Sequence, residues 1–163
     1  MNGSLAESLS KKHRSLLISS LQDARYYAAC SLIYARQRIA KSDYQGARKA
    51  YYHALEAANI LLDTDPDNPV AERRFANTAT ELTYLLMVLG EPHRGVKLRR
   101  HMVTRFRALA VQTSEYDLIR GVDSALSASG ERLEQWLSRF DLSSNQFAQS
   151  QTSELRVIAS RCA

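Results

Sequence analysis

Tyr44-Gln-Gly-Ala-Arg-Lys-Ala-Tyr-Tyr-His-Ala-Leu-Glu-Ala-Ala-Asn-Ile-Leu-Leu-Asp63 is the stretch that decides the fold. Ala47, Tyr51, Ala54, Ala58 and Leu61 recur at steps of three and four, and Leu55 and Leu62 widen the same stripe, which is the period of an α-helix with one buried face. Alanines at 47, 50, 54, 57 and 58 leave few bulky groups to hold a neighbour away, so close helix packing is expected.

Working outward, Tyr26, Cys30, Ile33 and Ala40, with Leu32 and Ile39, mark a preceding helix that ends near Lys41. Ser20 followed by Asp23 has the spacing of a capping box and places its start. Leu5 to Ile18 reads either as a separate short helix or as an extension of this one. Downstream, Asp63-Thr-Asp-Pro-Asp-Asn-Pro69 is a break, with Asn68 as N-cap and Pro69 at the first helical position. The next helix runs to Leu89 with Phe75, Ala79, Leu82, Leu86 and Leu89 on one face. Gly90 stops it and Pro92 opens another, to about residue 111, with Leu98, Met102, Phe106 and Leu109 on its apolar arc. Ser114 with Asp117 starts a further helix that Ser129-Gly130 ends, and two more are predicted over about 131–140 and 145–160. Short connections predict antiparallel neighbours throughout. The chain reads as one all-α domain over 1–163, with hairpins at 20–63 and 69–111 and a block at 114–163 forming a degenerate third hairpin and a C-terminal capping helix.

An offset of 48 residues lays one helix-turn-helix on the next: Ser42-Asp43-Tyr44 falls on Gly90-Glu91-Pro92, and Ala47 on Gly95. The first unit, with Ala35, Ser42-Asp-Tyr-Gln-Gly-Ala47, Tyr51, Ala54-Leu55 and Asp65-Pro66-Asp67-Asn68, resembles the tetratricopeptide repeat, whose pattern is a small residue on the first helix, a small-Asp-Tyr turn, alanines on the second helix and a closing Asp-Pro. The second unit keeps Leu82, the glycine turn and Gly95 but carries Thr83 at the small position. The resemblance spans about residues 29–110 and departs in length, since the usual repeat is about 34 residues and both helices here are longer. It implies antiparallel hairpins stacked as a short right-handed superhelix with terminal capping helices. It also implies a groove lined by the first helix of each pair, here Leu32, Arg36 and Ile39, then Asn77, Thr80, Tyr84 and Met87. The lysine and asparagine set by which some relatives clamp a terminal carboxylate is not recognisable.

With 163 residues the chain is long enough to bury about 70% of its unfolded surface around one core. Its 45% apolar and 24% charged residues form an ordinary globular balance, and a formal charge of +5 leans toward acidic partners. Cys30 and Cys162 form neither a disulfide framework nor a CxxC pattern, which fits a reducing compartment. Lys11 to Arg14 followed by a short apolar run resembles a secretory leader, but Gln22, Asp23 and Arg25 interrupt it before Ala28-Ala29-Cys30. No stretch reaches the about 18 to 20 apolar residues of a membrane span. A cytoplasmic protein without membrane contact is expected.

No catalytic constellation emerges. Asp63, Asp65 and Asp67 are spaced like the first ligands of a calcium loop, but Asn68 and Arg74 stand where that loop needs glycine and glutamate. His13, His53, His93 and His101 match no metal spacing, His53 falls on the exposed side of its helix, and Cys30 reads as inert packing. No cofactor, metal or enzymatic activity is expected.

From Pro92 to Ser114 the chain has Arg94, Lys97, Arg99, Arg100, Arg105 and Arg107 and no acidic residue. Arg94, Lys97, His101 and Arg105 follow one helical stripe, able to act together on a phosphate backbone or an acidic peptide, or else to balance carboxylates on adjacent helices. Two functions follow as expectations. The first is a protein-binding adaptor or chaperone that takes a peptide or protein, including an acidic one, in its groove; the second is a nucleic-acid-binding regulator that uses the basic helix.

Overall fold

The computed structural model describes residues 11–109 and 111–141, and every regular element among them is helical. These are α1 (Lys11–Ser19), α2 (Leu21–Ala40), α3 (Tyr44–Thr64), α4 (Pro69–Val88), α5 (Pro92–Leu109), α6 (Glu115–Leu126) and α7 (Gly130–Asp141). The all-α fold expected from the sequence is thus the fold of the chain. Of the two readings of the N-terminal stretch, a separate short helix holds, because Ser20 breaks it with extended backbone. The helix predicted over 145–160 lies outside the described residues.

Local chemistry explains the boundaries. The Ser20 hydroxyl accepts the Asp23 N–H at 3.2 Å, and the Asn68 side chain accepts the Val70 N–H at 3.0 Å with Pro69 behind it. Each supplies an acceptor for one of the N–H groups that a helix start leaves without a partner. Asp43 caps α3 by accepting the Gly46 N–H at 2.9 Å. Ser114 precedes α6 but makes no side-chain cap bond.

Two of the turns share one geometry. After α2, Ser42 has φ +58°, its N–H bonds Ile39 O at 2.9 Å, and Asp43 N–H bonds Arg38 O at 2.9 Å. After α4, Gly90 has φ +71°, its N–H bonds Met87 O at 3.1 Å, and Glu91 N–H bonds Leu86 O at 2.8 Å. Both are Schellman turns, in which a left-handed residue brings two late carbonyls their donors. They fall on the positions that the 48-residue offset superposes.

The main core runs through α2 to α7. Tyr51, Leu55 and Leu62 of α3, Phe75, Leu82, Leu85 and Leu86 of α4, and Leu98, Met102 and Phe106 of α5 are its large buried members. Phe75 and Phe106 meet edge to face at 5.7 Å. The buried alanines of α3 let α2 and α4 approach it closely. Gly95 does the same where α5 meets α4 and α6: a Cβ there would lie 2.8 Å from Leu126 and 3.3 Å from Thr83. A smaller cluster joins Leu17 of α1 to Ala24, Ala28, Ile60 and Leu61.

Ion pairs register the hairpins. Arg36 of α2 meets Glu81 of α4 at 3.0 Å, and Arg48 near the start of α3 meets Glu91, just before α5, at 2.8 Å. Near the ends of those helices Arg105 reaches Asn59 at 3.0 Å and pairs with Asp63. These side chains tie α2 to α4 and α3 to α5 across the two hairpins, whose helix-on-helix packing is that of α3 on α4.

The block after residue 114 departs from expectation. α6 packs on α4 and α5, but α7 does not fold back along α6 as their short connection suggested; it packs on α2 and α4. The reason is that Leu118, Ile119, Val122 and Ala125 are already buried in α6's own contacts, whereas the apolar side of α7 has its complement on α4.

Candidate functional site: a groove holding its own helix

The groove residues lie at three depths. Ile39 is 2% exposed and belongs to the core, so it presents nothing to a ligand. Leu32 is half-buried against that same core. Thr80 bonds back to Ala76 O at 2.8 Å and packs against Gly121, which makes it part of the α4–α6 contact. Met87 is half-buried and Asn77 exposed.

Arg36 and Tyr84 form the centre of the site. Arg36 makes a two-pronged contact with Glu81, Nε to Oε1 at 3.0 Å and Nη2 to Oε2 at 3.2 Å. Burial raises the Glu81 pKa above the ordinary carboxyl range, opposed by the positive charges of Arg36 and, from α7, Arg139. Beneath this pair lies Tyr51, fully buried, whose hydroxyl has no hydrogen-bond partner among the described residues. Its pKa is pushed well up, by burial first and then by the Glu81 charge.

Tyr84 is covered. The Trp136 ring stacks on it with centroids 5.3 Å apart and planes 12° apart, and Phe140 meets Trp136 edge-on at 5.0 Å. Arg132 Nη2 lies 3.4 Å from the Tyr84 hydroxyl. Trp136 and Phe140 are 4% and 3% exposed, whereas Glu131, Glu134, Gln135 and Ser138 face solvent. α7 is thus an amphipathic helix whose aromatic side closes over α2 and α4. Sequence reasoning passed over these residues, although Leu133, Trp136, Leu137 and Phe140 follow the helical period. That period reveals a buried face but not what buries it.

The basic stripe is largely compensated. Arg94 pairs with Glu91 at 3.3 Å, and Arg105 is held by Asp63 and Asn59. Off the stripe, Arg99 pairs with Asp123 and Arg107 with Glu115. His101 is half-buried; its Nε2 has no partner among the described residues, and burial, with Arg105 nearby, lowers its pKa. Lys97 is exposed. Of the two uses expected of the stripe, the balancing of a carboxylate on an adjacent helix describes Arg105, whose partner Asp63 is on α3, whereas Arg94 pairs with Glu91 in the turn just before its own helix.

Elsewhere, Asp63 serves Arg105 and Asp65 accepts the Asn68 amide at 3.0 Å, so both act in the turn. His53 corrects an expectation: it is half-buried, with Tyr27 Oη 3.5 Å from Nδ1, because α2 crosses that side of α3. It borders an open cavity of about 480 Å³ between α2 and α3. Cys30 lines the same cavity and is half-buried. No helix among the described residues is long and apolar enough to cross a membrane.

No protein-family model, curated protein or solved structure matches the chain. What the fold and site define is a class: an all-α protein of packed helical hairpins with one of its own helices laid over the α2–α4 face.

Proposed function

We propose that this protein is a non-catalytic interaction scaffold, an adaptor or chaperone of tetratricopeptide type, that binds a peptide or protein segment on the face formed by α2 and α4. The observation that carries this reading is the seating of α7 on that face: Trp136 stacked on Tyr84, with Arg36 and Glu81 beside it. A surface that holds one amphipathic helix by aromatic stacking and a flanking charge has the chemistry to hold another. The two Schellman turns and the side-by-side hairpins support the repeat reading. The partner is a protein, and the nucleic-acid alternative is the weaker one because Arg94 and Arg105 already have carboxylate partners.

The test compares native pull-downs by wild type and by Arg36→Ala plus Tyr84→Ala, with helical circular dichroism as the folding control. The double variant is expected to lose at least one specific partner while its spectrum is unchanged. Retention of every partner would remove the groove from the function.

A further inference from the structure

We propose that the outer face shared by α5 and α6 is a second docking surface, and that its partner is an acidic protein segment carrying apolar side chains among its carboxylates. This face is separate from the α2–α4 groove, so the proposal goes beyond the scaffold reading.

Most of the charge on α5 is already engaged. Arg94 is paired with Glu91, Arg105 with Asp63, Arg99 with Asp123 and Arg107 with Glu115. Those four carboxylates are thereby taken. Lys97 and Arg100, one helical turn apart, are exposed and make no ion pair among the described residues.

α6 adds to them. The Arg99–Asp123 and Arg107–Glu115 pairs set α5 antiparallel to α6, so residues 99–107 lie level with residues 115–123. On α5, Val96, Arg100, Val103 and Arg107 follow one row at steps of four, three and four; on α6, Tyr116, Arg120 and Asp123 follow another at steps of four and three. Because Arg107 and Asp123 reach across the seam between the helices, both rows border it. Tyr116 is 68% exposed and Val96 46%, and Arg100 and Arg120 face solvent. Arg120, too, makes no ion pair among the described residues. Asp117, the exposed acid of α6, falls on the row of Gly121, which packs on Thr80 of α4, and so turns away from α5.

The seam thus gathers two uncompensated arginines, a tyrosine and a valine, with Lys97 further out on the same side of α5. Tyrosine and arginine are the side chains that most often carry binding energy where proteins meet, the one by its flat ring, the other by two parallel bonds to a carboxylate. Like charges along one seam repel, and a partner's carboxylates placed among them relieve that repulsion. The formal charge of +5 adds attraction for an acidic partner at longer range. A wholly acidic segment would leave Tyr116 and Val96 in water, so the fitting partner also brings apolar side chains. Tyr116 and Arg120 belong to a different helix from Arg100, and only the pairing of α5 with α6 brings them level.

The test uses the full-length chain and a fluorescein-labelled peptide of glutamates interspersed with leucines, with fluorescence anisotropy at low salt as readout. Arg100→Gln plus Arg120→Gln is expected to weaken binding about tenfold, through the loss of two charge pairs at the contact. Tyr116→Ala is expected to weaken it by a similar factor at unchanged net charge, which attraction by charge alone would not do. Lys49→Gln is the control: it removes an exposed cation beside the cavity between α2 and α3, and is expected to bind as wild type does. No binding by wild type, full-strength binding by the double variant or by Tyr116→Ala, or equal weakening by Lys49→Gln overturns the proposal. Circular dichroism checks that each variant is folded. Should one not fold, a nitrogen-15 NMR titration of the wild type with unlabelled peptide decides. The amides of Val96 to Thr104 and of Tyr116 to Asp123 are expected to shift; shifts confined to α2 and α4 would place the peptide in the groove and sink the idea. Mixed-sequence single-stranded DNA that displaces the labelled peptide at lower concentration than unlabelled peptide does would assign the face to nucleic acid, and the acidic protein partner would be wrong.

Discussion

Glu72 shows how much a single side chain can decide. It is fully buried on α4, and its carboxylate accepts the backbone N–H groups of Gln112 at 2.6 Å and Thr113 at 2.9 Å. Those donors belong to the loop between α5 and α6, so Glu72 fixes where α6 begins its run across α4. A buried carboxylate with two charge-assisted bonds is costly to remove because the loop donors lose their acceptor. Glu72→Ala is expected to lower unfolding stability by about 2–3 kcal/mol in urea titration. A loss below about 0.5 kcal/mol would mean that water serves those amides equally well. A lone glutamate in the first turn of α4 reads in the sequence as a favourable N-terminal charge, and nothing near it announces a partner some 40 residues on.

At the scale of the element, the two Schellman turns make paired predictions of opposite sign. Ser42 and Gly90 both have positive φ, at +58° and +71°. A side chain in that region costs about 1–2 kcal/mol, against about 0.5–1 kcal/mol of extra chain entropy for glycine. Gly90→Ala should therefore lower the thermal midpoint, with a stability loss of about 1 kcal/mol. Ser42→Gly should raise it slightly. Both effects having the same sign in calorimetry would rule out the turn geometry as their cause. These elements were readable in advance because their determinants are local. Ser20, Asn68-Pro69 and Gly90 each act within a few residues of the helix end they define. The packing of α7 is not legible in the sequence for the complementary reason: a short loop limits where the next helix starts but not which face it seeks.

Across the whole molecule, Glu81 ties three helices together: it sits on α4, pairs with Arg36 of α2 and faces the charge of Arg139 on α7. Its pKa is raised by burial from the ordinary 4.5, so the folded chain holds this proton to higher pH than the unfolded chain does. Between those two values the folded state binds more protons, and stability must fall as pH rises through that window. Glu81→Gln does not titrate and lacks this decline. The midpoint of wild type minus that of Glu81→Gln is therefore expected to shrink as pH is raised from about 4 to 7, measured by thermal melts at fixed salt. A difference that grows with pH would mean that the Arg36 pair outweighs the burial.

What the sequence determined by itself is the helical composition, the places where helices start and stop, and the offset of 48 residues that relates two turns. Periodicity, capping residues and left-handed turn positions are properties of neighbouring residues, and short-range sterics and hydrogen bonding act on them directly. Only the tertiary structure decided that Ile39 is core while Tyr84 is covered by Trp136, that Arg105 belongs to Asp63, and that α7 lies over α2 and α4. An amphipathic pattern specifies that a face is buried, yet any apolar face of similar width satisfies it. Partners 40 or more residues apart are chosen by the depth and register at which whole helices pack, a choice made by every contact in the core at once.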